Sequence, residues 1–547
     1  MGLSAASILW LHPYQYGLED QSIIIPFIKE TMNPDLYPDD YLVAQKPYFI
    51  TLLWEFIAFV AKFSGLGLPF LFLAGHVVSV FFTFWAMYRL GMTLFGRAET
   101  AAGALLLFLL ANGMSLGDGT TLEGIFNTRV AALPLLLLSW DLLLKERPIG
   151  SYLLLGAAFL IHPLTAAHML GLIVFASLAS WKRFGPVRIG LGLLLFLIVA
   201  SPLLVWKGQH NPASLSFFAV PSGWVEILRL RSAHHISPIG WHWETLIRTL
   251  VLTSALVWLL SRRTPSFQRR MILAALIAVA TMCLAAAIFT EVLPLAVVIQ
   301  FQLFRSSVFI NYHLYLFFSA FYFSRLATGA GIGTMAGVAL GLGALFYKGP
   351  GWPYQYLVVG GLGLLVLALR STAWGRIKGP QLLYGILILM YAVGLGGGFG
   401  PSRVSITNAQ DPDWLEVQTW ARQATDLEDA FIVPPGRMGF RIESERTIYG
   451  DWKDGTQTFF NPDFGREWIG RMKRLGYTPR LKTRSWEDLE DFDRAYHRLG
   501  RPELMAAARD LGSERGRVFV VRSKESAQLD LPLSHENAAF RVYELCP

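Results

Sequence analysis

Uninterrupted apolar runs constrain this chain more than any other feature. "AAGALLLFLLANG", "IGLGLLLFLIVASPLLVW", "MILAALIAVATMCLAAAIF", "YLVVGGLGLLVLALR" and "QLLYGILILMYAVGLGGGF" follow one another through its first 400 residues. Runs near ~18 residues with few charges are long enough to cross a bilayer as helices, which satisfy their own backbone hydrogen bonds in hydrocarbon. Hydrophobic residues make up 53% of the chain and charged residues only 16%, against about 25% charged in an ordinary soluble domain. The sequence therefore predicts an all-α polytopic membrane domain over 1–400. The formal charge of +8 follows from basic loops and does not suggest a nucleic-acid partner. Cys283 lies inside an apolar run and Cys546 is next to last, so no disulfide framework is expected. The first residues lack a basic n-region and a small-residue cleavage site, and do not read as a signal peptide.

From residue 401 the texture changes. "DPDWLEVQTWARQATDLEDAFIVPPGRMGFRIESERTIYGDWKDG" and the residues beyond it are charged and hold no spanning run. "DWLEVQTWARQA" has helical periodicity, and "AFIVPP", "RTIYG", "RVFVVR" and "FRVYEL" read as short strands. "NPDFGREWIGRMKRLG" and "SWEDLEDFDRAYHRLGRPELMAAARDLG" read as helices ended by Gly. Residues 401–547 are expected to form one α/β domain.

Basic loops fix the orientation, because Lys and Arg concentrate on the cytoplasmic side. "KERP" (145–148), "WKRFGPVR" (181–188), "RRTPSFQRR" (262–270) and "RSTAWGRIKG" (370–379) are placed inside. Spans are then expected at 67–90, 99–113, 128–144, 150–162, 164–181, 189–207, 246–261, 271–289, 306–325, 328–346, 351–370 and 380–398. Residues 1–16 make the first span, for about thirteen in all. The first outer loop is 17–66, with "YFITLLWEFIAFVAKF" (48–63) as a helix in the outer interface. The C-terminal domain then faces the extracytoplasmic side of a bacterial-type plasma membrane.

Six carboxylates lie in "YQYGLEDQSIIIPFIKETMNPDLYPDDYLV", directly behind the first apolar stretch: Glu19, Asp20, Glu30, Asp35, Asp39 and Asp40. Acids drift to outer loops, so a turn-rich linker would explain them. Glu19 and Asp20 also sit at the lipid–water boundary, where burial would raise a carboxylate toward a useful base. Arg129 opens a span on the outer side, where a guanidinium fork suits phosphate or anchors the helix in the interface. Arg305 lies in the apolar "QFQLFRSSVF"; an ionisable residue there is a functional candidate, or half of an ion pair with Glu291. His162 precedes Pro163 at a break between two spans and suits either substrate contact or a structural hydrogen bond.

On "GLEDQ", the "NPDLYPDDY" turn, Arg129 in "NTRVAALPL", "HPL" at 162–164 and the tail "PPGRMGFRIESERTIYGDWKDG", the chain resembles the GT-C superfamily of polytopic glycosyltransferases. The likeness is to a poorly characterised bacterial branch. The resemblance implies a GT-C-like membrane domain, an acidic catalytic residue in the first outer loop, and a polyprenyl-phosphate sugar as donor. It implies a hexosyl- or pentosyltransferase. Asp20 would be the general base, with Glu19 in reserve. Asp40, Arg129, His162 and Arg305 would bind substrate. Partners would be membrane lipid, the lipid-linked donor, and a glycan, lipid or protein acceptor. No cofactor and no metal ligand is assigned, and a divalent metal stays possible; the first loop holds no Asp-x-Asp.

Other features read more plainly. His210, His234, His235 and His242 are irregularly spaced without cysteine, and suit interfacial decoration better than zinc. "GAGIGTMAGVALGLG" (329–343) lies inside a span, so helix packing explains its glycines. Arg441, Arg446, Asp451, Trp452, Lys453 and Asp454 suit either a salt-bridged loop or a wall of the acceptor site. A transporter or flippase, or an inactive GT-C-like scaffold, are the competing readings. No repeat is visible, and the ionisable residues gather at the outer ends of spans.

Overall fold

A computed structural model describes the chain except residues 50, 111–114, 211–217, 242, 264, 329–403, 480–484, 512–515 and 546–547. Its longer helices are α1 (Gln21–Met32), α2 (Leu53–Ser64), α3 (Leu68–Phe95), α4 (Ala98–Leu110), α5 (Thr128–Leu144), α6 (Pro148–Ile161), α7 (Pro163–Ala179), α8 (Pro186–Gln209), α9 (Trp224–Ile236), α10 (Trp243–Arg263), α11 (Ser266–Ala287) and α12 (Val308–Thr328). The C-terminal region adds α13 (Pro412–Ala424), α14 (Pro462–Arg474), α15 (Ser485–Tyr496) and α16 (Arg501–Asp510).

Among the described residues three stretches, Leu68–Phe95, Pro186–Gln209 and Ser266–Val292, are long and apolar enough to cross a membrane. Proline sets several helix starts: Pro148, Pro163 and Pro186 each stand in the first turn, where the missing N–H costs nothing. His162 is extended (φ −142°, ψ 90°) and separates α6 from α7, as the residue before proline must be to leave the helical region. Helix pairs α6·α8, α5·α6, α3·α5, α7·α11 and α4·α12 form the packed body. Its interior includes Trp140, Leu143, Tyr152, Leu155, Ala275 and Tyr315, all fully buried.

Several expectations change. Residues 1–16 do not form one spanning helix. A short helix over 2–11 leads through Pro13 into strand β1 (Gln15–Tyr16); ten residues at ~1.5 Å each reach only about 15 Å, half a hydrocarbon core. The expected outer loop contains a helix, α1, and so does the expected loop 208–245, in α9. A helix does stand at 53–64. Trp54, Ile57, Ala58 and Ala61 are buried on one face and Phe56, Phe59 and Phe63 exposed on the other. The expected spans 328–346, 351–370 and 380–398 lie outside the described residues, apart from Thr328.

After β2 (Ser405–Asn408), the C-terminal region builds a five-stranded sheet from β3 (Ala430–Ile432), β4 (Thr447–Ile448), β5 (Val518–Ser523), β6 (Leu533–Glu536) and β7 (Phe540–Leu545). Its order is β4-β3-β5-β7-β6. β3 runs parallel to β4 and β5, and β7 antiparallel to β5 and β6. Alternation decides the two faces. Phe431, Phe519 and Val521 meet Trp414 and Val417 of α13. Ala430, Ile432, Val518 and Val520 join Trp468 and Met472 of α14, Tyr496 of α15 and Leu504 of α16.

This region is locked onto the first loop. β1 pairs in parallel with β2. Tyr41 stacks on Phe464 at 4.4 Å, and the Arg471 guanidinium lies 4.2 Å from the Tyr41 ring. Tyr37 Oη donates to Arg441 O at 2.9 Å, and Lys29 Nζ donates to Ile442 O at 2.6 Å and pairs with Glu445 at 2.8 Å. Residues some 400 positions apart in the chain thereby share one surface.

Candidate functional site: a charged mouth on an apolar cavity

Asp20 stands at the N-cap of α1 but makes no capping bond with its side chain. A tight turn precedes it, with Gly17 at φ +84° and Glu19 at φ +52°. A Cβ on Gly17 would come within 2.4 Å of Asn408 Oδ1, so only glycine fits there. Gln21 is fully buried and ties the turn down: Gly17 N donates to Gln21 Oε1 at 2.7 Å, and Gln21 Nε2 donates to Phe126 O at 3.0 Å. The carboxylate of Asp20 is thus aimed by backbone on both sides.

Arg129 faces it. Asn127 caps α5 by accepting from Val130 N at 3.0 Å, which sets Arg129 in the first turn. Glu123 then takes the guanidinium fork, from Nε at 2.8 Å and from Nη2 at 2.9 Å. Arg129 Nη2 also donates to Asp20 Oδ2 at 3.2 Å. The other oxygen, Oδ1, lies 3.0 Å from Lys453 Nζ, which reaches Glu19 Oε2 at 3.2 Å as well. Nothing local in the sequence marks Glu123 as the partner of Arg129 or Lys453 as a partner of Asp20. Burial pushes the Asp20 carboxyl upward, but Lys453 and then Arg129 outweigh it and hold it well below the usual carboxylate range. The expectation of a raised carboxyl is therefore reversed here: two cations favour the charge more than burial opposes it.

Arg305 approaches from the other side, in the 3₁₀ turn Leu303–Ser307. Its Nε donates to Gly117 O at 3.2 Å and its Nη2 to His235 Nε2 at 2.8 Å. His235 Nδ1 lies 2.9 Å from the same carbonyl, Gly117 O, which places its proton on Nδ1. Glu291 instead pairs with Arg229 at 2.6 Å, so the expected Arg305–Glu291 pair does not form. Burial and then Arg305 hold His235 well below its ordinary value, and burial and then Arg231 push His234 down to about 3. Both imidazoles are neutral. Burial and then Arg129 bring Arg305 down to about 10. Such a guanidinium gains from any anion that arrives. His162 Nδ1 lies 3.2 Å from Thr128 Oγ1, one residue from Arg129, and its Nε2 is buried without a partner among the described residues.

Arg129, Glu123, Asp118 and Arg305 line one end of a cavity between the helices. Beyond them its walls are mostly apolar, with Val80 of α3, Leu133 and Leu136 of α5, Met169 and Leu172 of α7 and Phe309 of α12, interrupted by Thr83, Thr165 and His168. The arrangement offers an oily shaft between helices, closed by a mouth of fixed charges.

Asp40 is not part of it. Its Oδ1 accepts from Leu42 N at 2.9 Å and Val43 N at 3.1 Å, and its Oδ2 from Arg441 Nε at 2.8 Å and Ile448 N at 3.1 Å. Arg441 gives its remaining two nitrogens to Asp454 at 2.9 and 3.0 Å. Every acceptor site of Asp40 is used internally, so the role in binding substrate expected from the sequence is corrected to one in fastening the first loop to the sheet. Asp20, Glu19, Arg129 and Arg305 do come together, with His162 behind Arg129.

Asp118, His234 and His235 bring ligand atoms within 4.8 Å of one another. Two neutral imidazoles and a carboxylate are ligands by type. The Arg305 guanidinium, however, already occupies His235 Nε2 and sets a positive charge where a cation would sit.

A family model described as a domain of unknown function (DUF6798) matches residues 412–475. No curated protein matches the chain. Among solved structures, the chain is similar to ArnT from Cupriavidus metallidurans in the apo state, at 11% identity and a TM-score of 0.47, over 100% of this chain and 96% of that one. It is also similar to the archaeal oligosaccharyltransferase AglB from Archaeoglobus fulgidus in complex with an inhibitory peptide and a dolichol-phosphate, at 12% identity and a TM-score of 0.41, over 95% and 68%. An apo form of the Archaeoglobus fulgidus oligosaccharyltransferase gives 14% identity, a TM-score of 0.41 and the same coverage, 95% and 68%.

Proposed function

We propose that the chain is a membrane glycosyltransferase that moves a sugar from a polyprenyl-phosphate donor to an acceptor at the outer face of a bacterial-type plasma membrane. One observation carries the reading: an apolar cavity between helices ends at Arg129 and Arg305, with the Asp20 carboxylate 3.2 Å from Arg129. A polyprenyl chain suits the shaft, and a phosphate suits the two guanidinium groups at its mouth. The placement of the mouth outside rests on the basic loops, and that of 401–547 outside follows from it. The GT-C resemblance of "GLEDQ" and "NTRVAALPL" supports the same assignment. A transport reading is less well supported, because the cavity's charges gather at one end rather than along a passage.

The chemistry asks little of the protein. The acceptor hydroxyl gives its proton to Asp20 while its oxygen forms the new bond to the anomeric carbon. The bond from that carbon to the phosphate oxygen breaks, and the lipid phosphate leaves with the electron pair. Arg129 and Arg305 balance the charge that grows on it. Labelled undecaprenyl-phosphate sugars, offered to membranes carrying the full chain, test this. Transfer that is present in the wild type and lost in Asp20→Asn supports the reading. Equal transfer by both removes Asp20 as base, and no transfer of any donor sugar removes the function.

A further inference from the structure

We propose that Lys453 is a mask on Asp20, lifted when an anionic headgroup enters the cavity mouth. The inference rests on the reading of the cavity as a lipid-phosphate site and adds an order of events to it. Both oxygens of Asp20 are occupied, Oδ1 by Lys453 and Oδ2 by Arg129. Each oxygen keeps a second lone pair, but a cation on each draws charge from the carboxylate and makes it a poor proton acceptor. Loss of one cation restores its strength as a base.

The two cations are not held alike. Arg129 is gripped by Glu123 through two bonds of 2.8 and 2.9 Å, so its guanidinium stays in place. Lys453 Nζ is held by two partly exposed carboxylates, Glu19 and Asp20. Its compact ammonium sits on a flexible four-carbon stem and turns its donors easily toward a new acceptor. Among the described residues the charged and titratable groups around Asp20 include Lys453, Arg129, Arg305, Arg231, Glu19, His162 and, across Arg129, Glu123. Of these, Lys453 comes from the C-terminal region, at the start of the 3₁₀ turn Lys453–Phe459. A phosphate oxygen in the mouth competes with Asp20 for the ammonium, and Oδ1 is released when it wins.

The base is then competent only with the donor docked. The acceptor's proton goes to Asp20 Oδ1 as the new glycosidic bond forms, and Lys453, now on the phosphate, meets the negative charge left by the departing oxygen. Without a donor, Asp20 stays paired and does not activate water.

The test uses the full chain in lipid nanodiscs, with undecaprenyl phosphate as the probe and undecaprenol as its neutral control. Calorimetric titration in two buffers of different ionisation enthalpy, near the ordinary carboxylate pKa of ~4, counts the protons exchanged on binding. The part owed to Asp20 is the difference between the wild type and Asp20→Asn. The expected result is net proton uptake by the wild type that Asp20→Asn lacks. In Lys453→Met, affinity should fall about tenfold, the loss of one charge-assisted contact, and the uptake should fall by more than half. Lys453→Arg should keep both. Wild-type thermal transitions in the variants exclude misfolding, and Lys453→Gln replaces Lys453→Met if that chain is unstable. Unchanged affinity and uptake in Lys453→Met overturn the mask while leaving the cavity reading intact. No binding of undecaprenyl phosphate by the wild type overturns both.

Discussion

Two carboxylate–arginine clusters start from the same stretch of sequence, and they differ in what surrounds them. Asp20 with Arg129 and Lys453 keeps side-chain exposures of 28%, 31% and 13%. Asp40 with Arg441 and Asp454 has 0%, 2% and 3%. The second cluster is saturated and sealed. Burial would lower Arg441, but Asp40 and Asp454 outweigh it and hold the guanidinium charged. Breaking such a pair strands a charge away from water, and that cost belongs to stability. The first cluster borders a cavity, and its members have room to change partners. The same ion chemistry fastens two regions in one place and stands ready for a ligand in the other.

The comparison is broken most directly by exchanging the roles. Asp20→Asn should reduce sugar transfer by about 10² to 10⁴, the usual worth of a placed base, while lowering stability by less than the loss of a sealed partner does, because its ion pairs are partly exposed. If it unfolds the protein instead, Asp20 is structural like Asp40. Asp454→Ala should do the reverse, lowering stability by about 3–5 kcal/mol in a denaturant titration, with residual folded protein still binding undecaprenyl phosphate. Arg129→Lys keeps the charge and loses the fork that Glu123 grips. Binding of the lipid phosphate should weaken about tenfold, and an unchanged dissociation constant would show that Arg129 only anchors its helix.

The smallest effect concerns Asp451, which lies beside Asp454. Burial and then Asp454 raise its carboxyl well above the ordinary value. The folded state therefore holds this proton more tightly than the unfolded chain does. Its contribution is full below the ordinary pKa of ~4 and is lost as pH rises through the raised one. Asp451→Asn cannot ionise and should flatten that slope, melting above the wild type at alkaline pH and within about 1 kcal/mol of it in acid. A parallel pH dependence in both would locate the slope elsewhere.

Much of this was legible in the chain. Apolar runs marked most described helices of the first 328 residues, and alternation marked β3, β5 and β7. Asp20, Arg129 and Arg305 stood out because a charge beside an apolar run needs a reason. Their partners did not. Glu123 is one acid in an ordinary loop, and Lys453 lies 433 positions from Asp20, so no local pattern joins them. Asp40 looked like Asp20 because sequence displays charge and hides burial. Helix α1 was missed because Pro26 interrupts it and acids bracket it, and α9 because its Ser, His and Arg residues break any apolar stripe. The raised carboxyl expected at Asp20 failed for the same reason as Asp40: the cations that decide it come from far along the chain.

The central claim is that the cavity between α3, α5, α7 and α12 holds an anionic polyprenyl lipid with its phosphate at Arg129 and Arg305. Photocrosslinking tests it most directly, with a polyprenyl phosphate bearing a diazirine in its second isoprene unit and the full chain in nanodiscs. The account predicts adducts on Leu133, Leu136 or Met169, competed by undecaprenyl phosphate but not by undecaprenol, and largely lost in Arg305→Gln. Adducts confined to the outer faces of the helices, or an unchanged yield in Arg305→Gln, would contradict it.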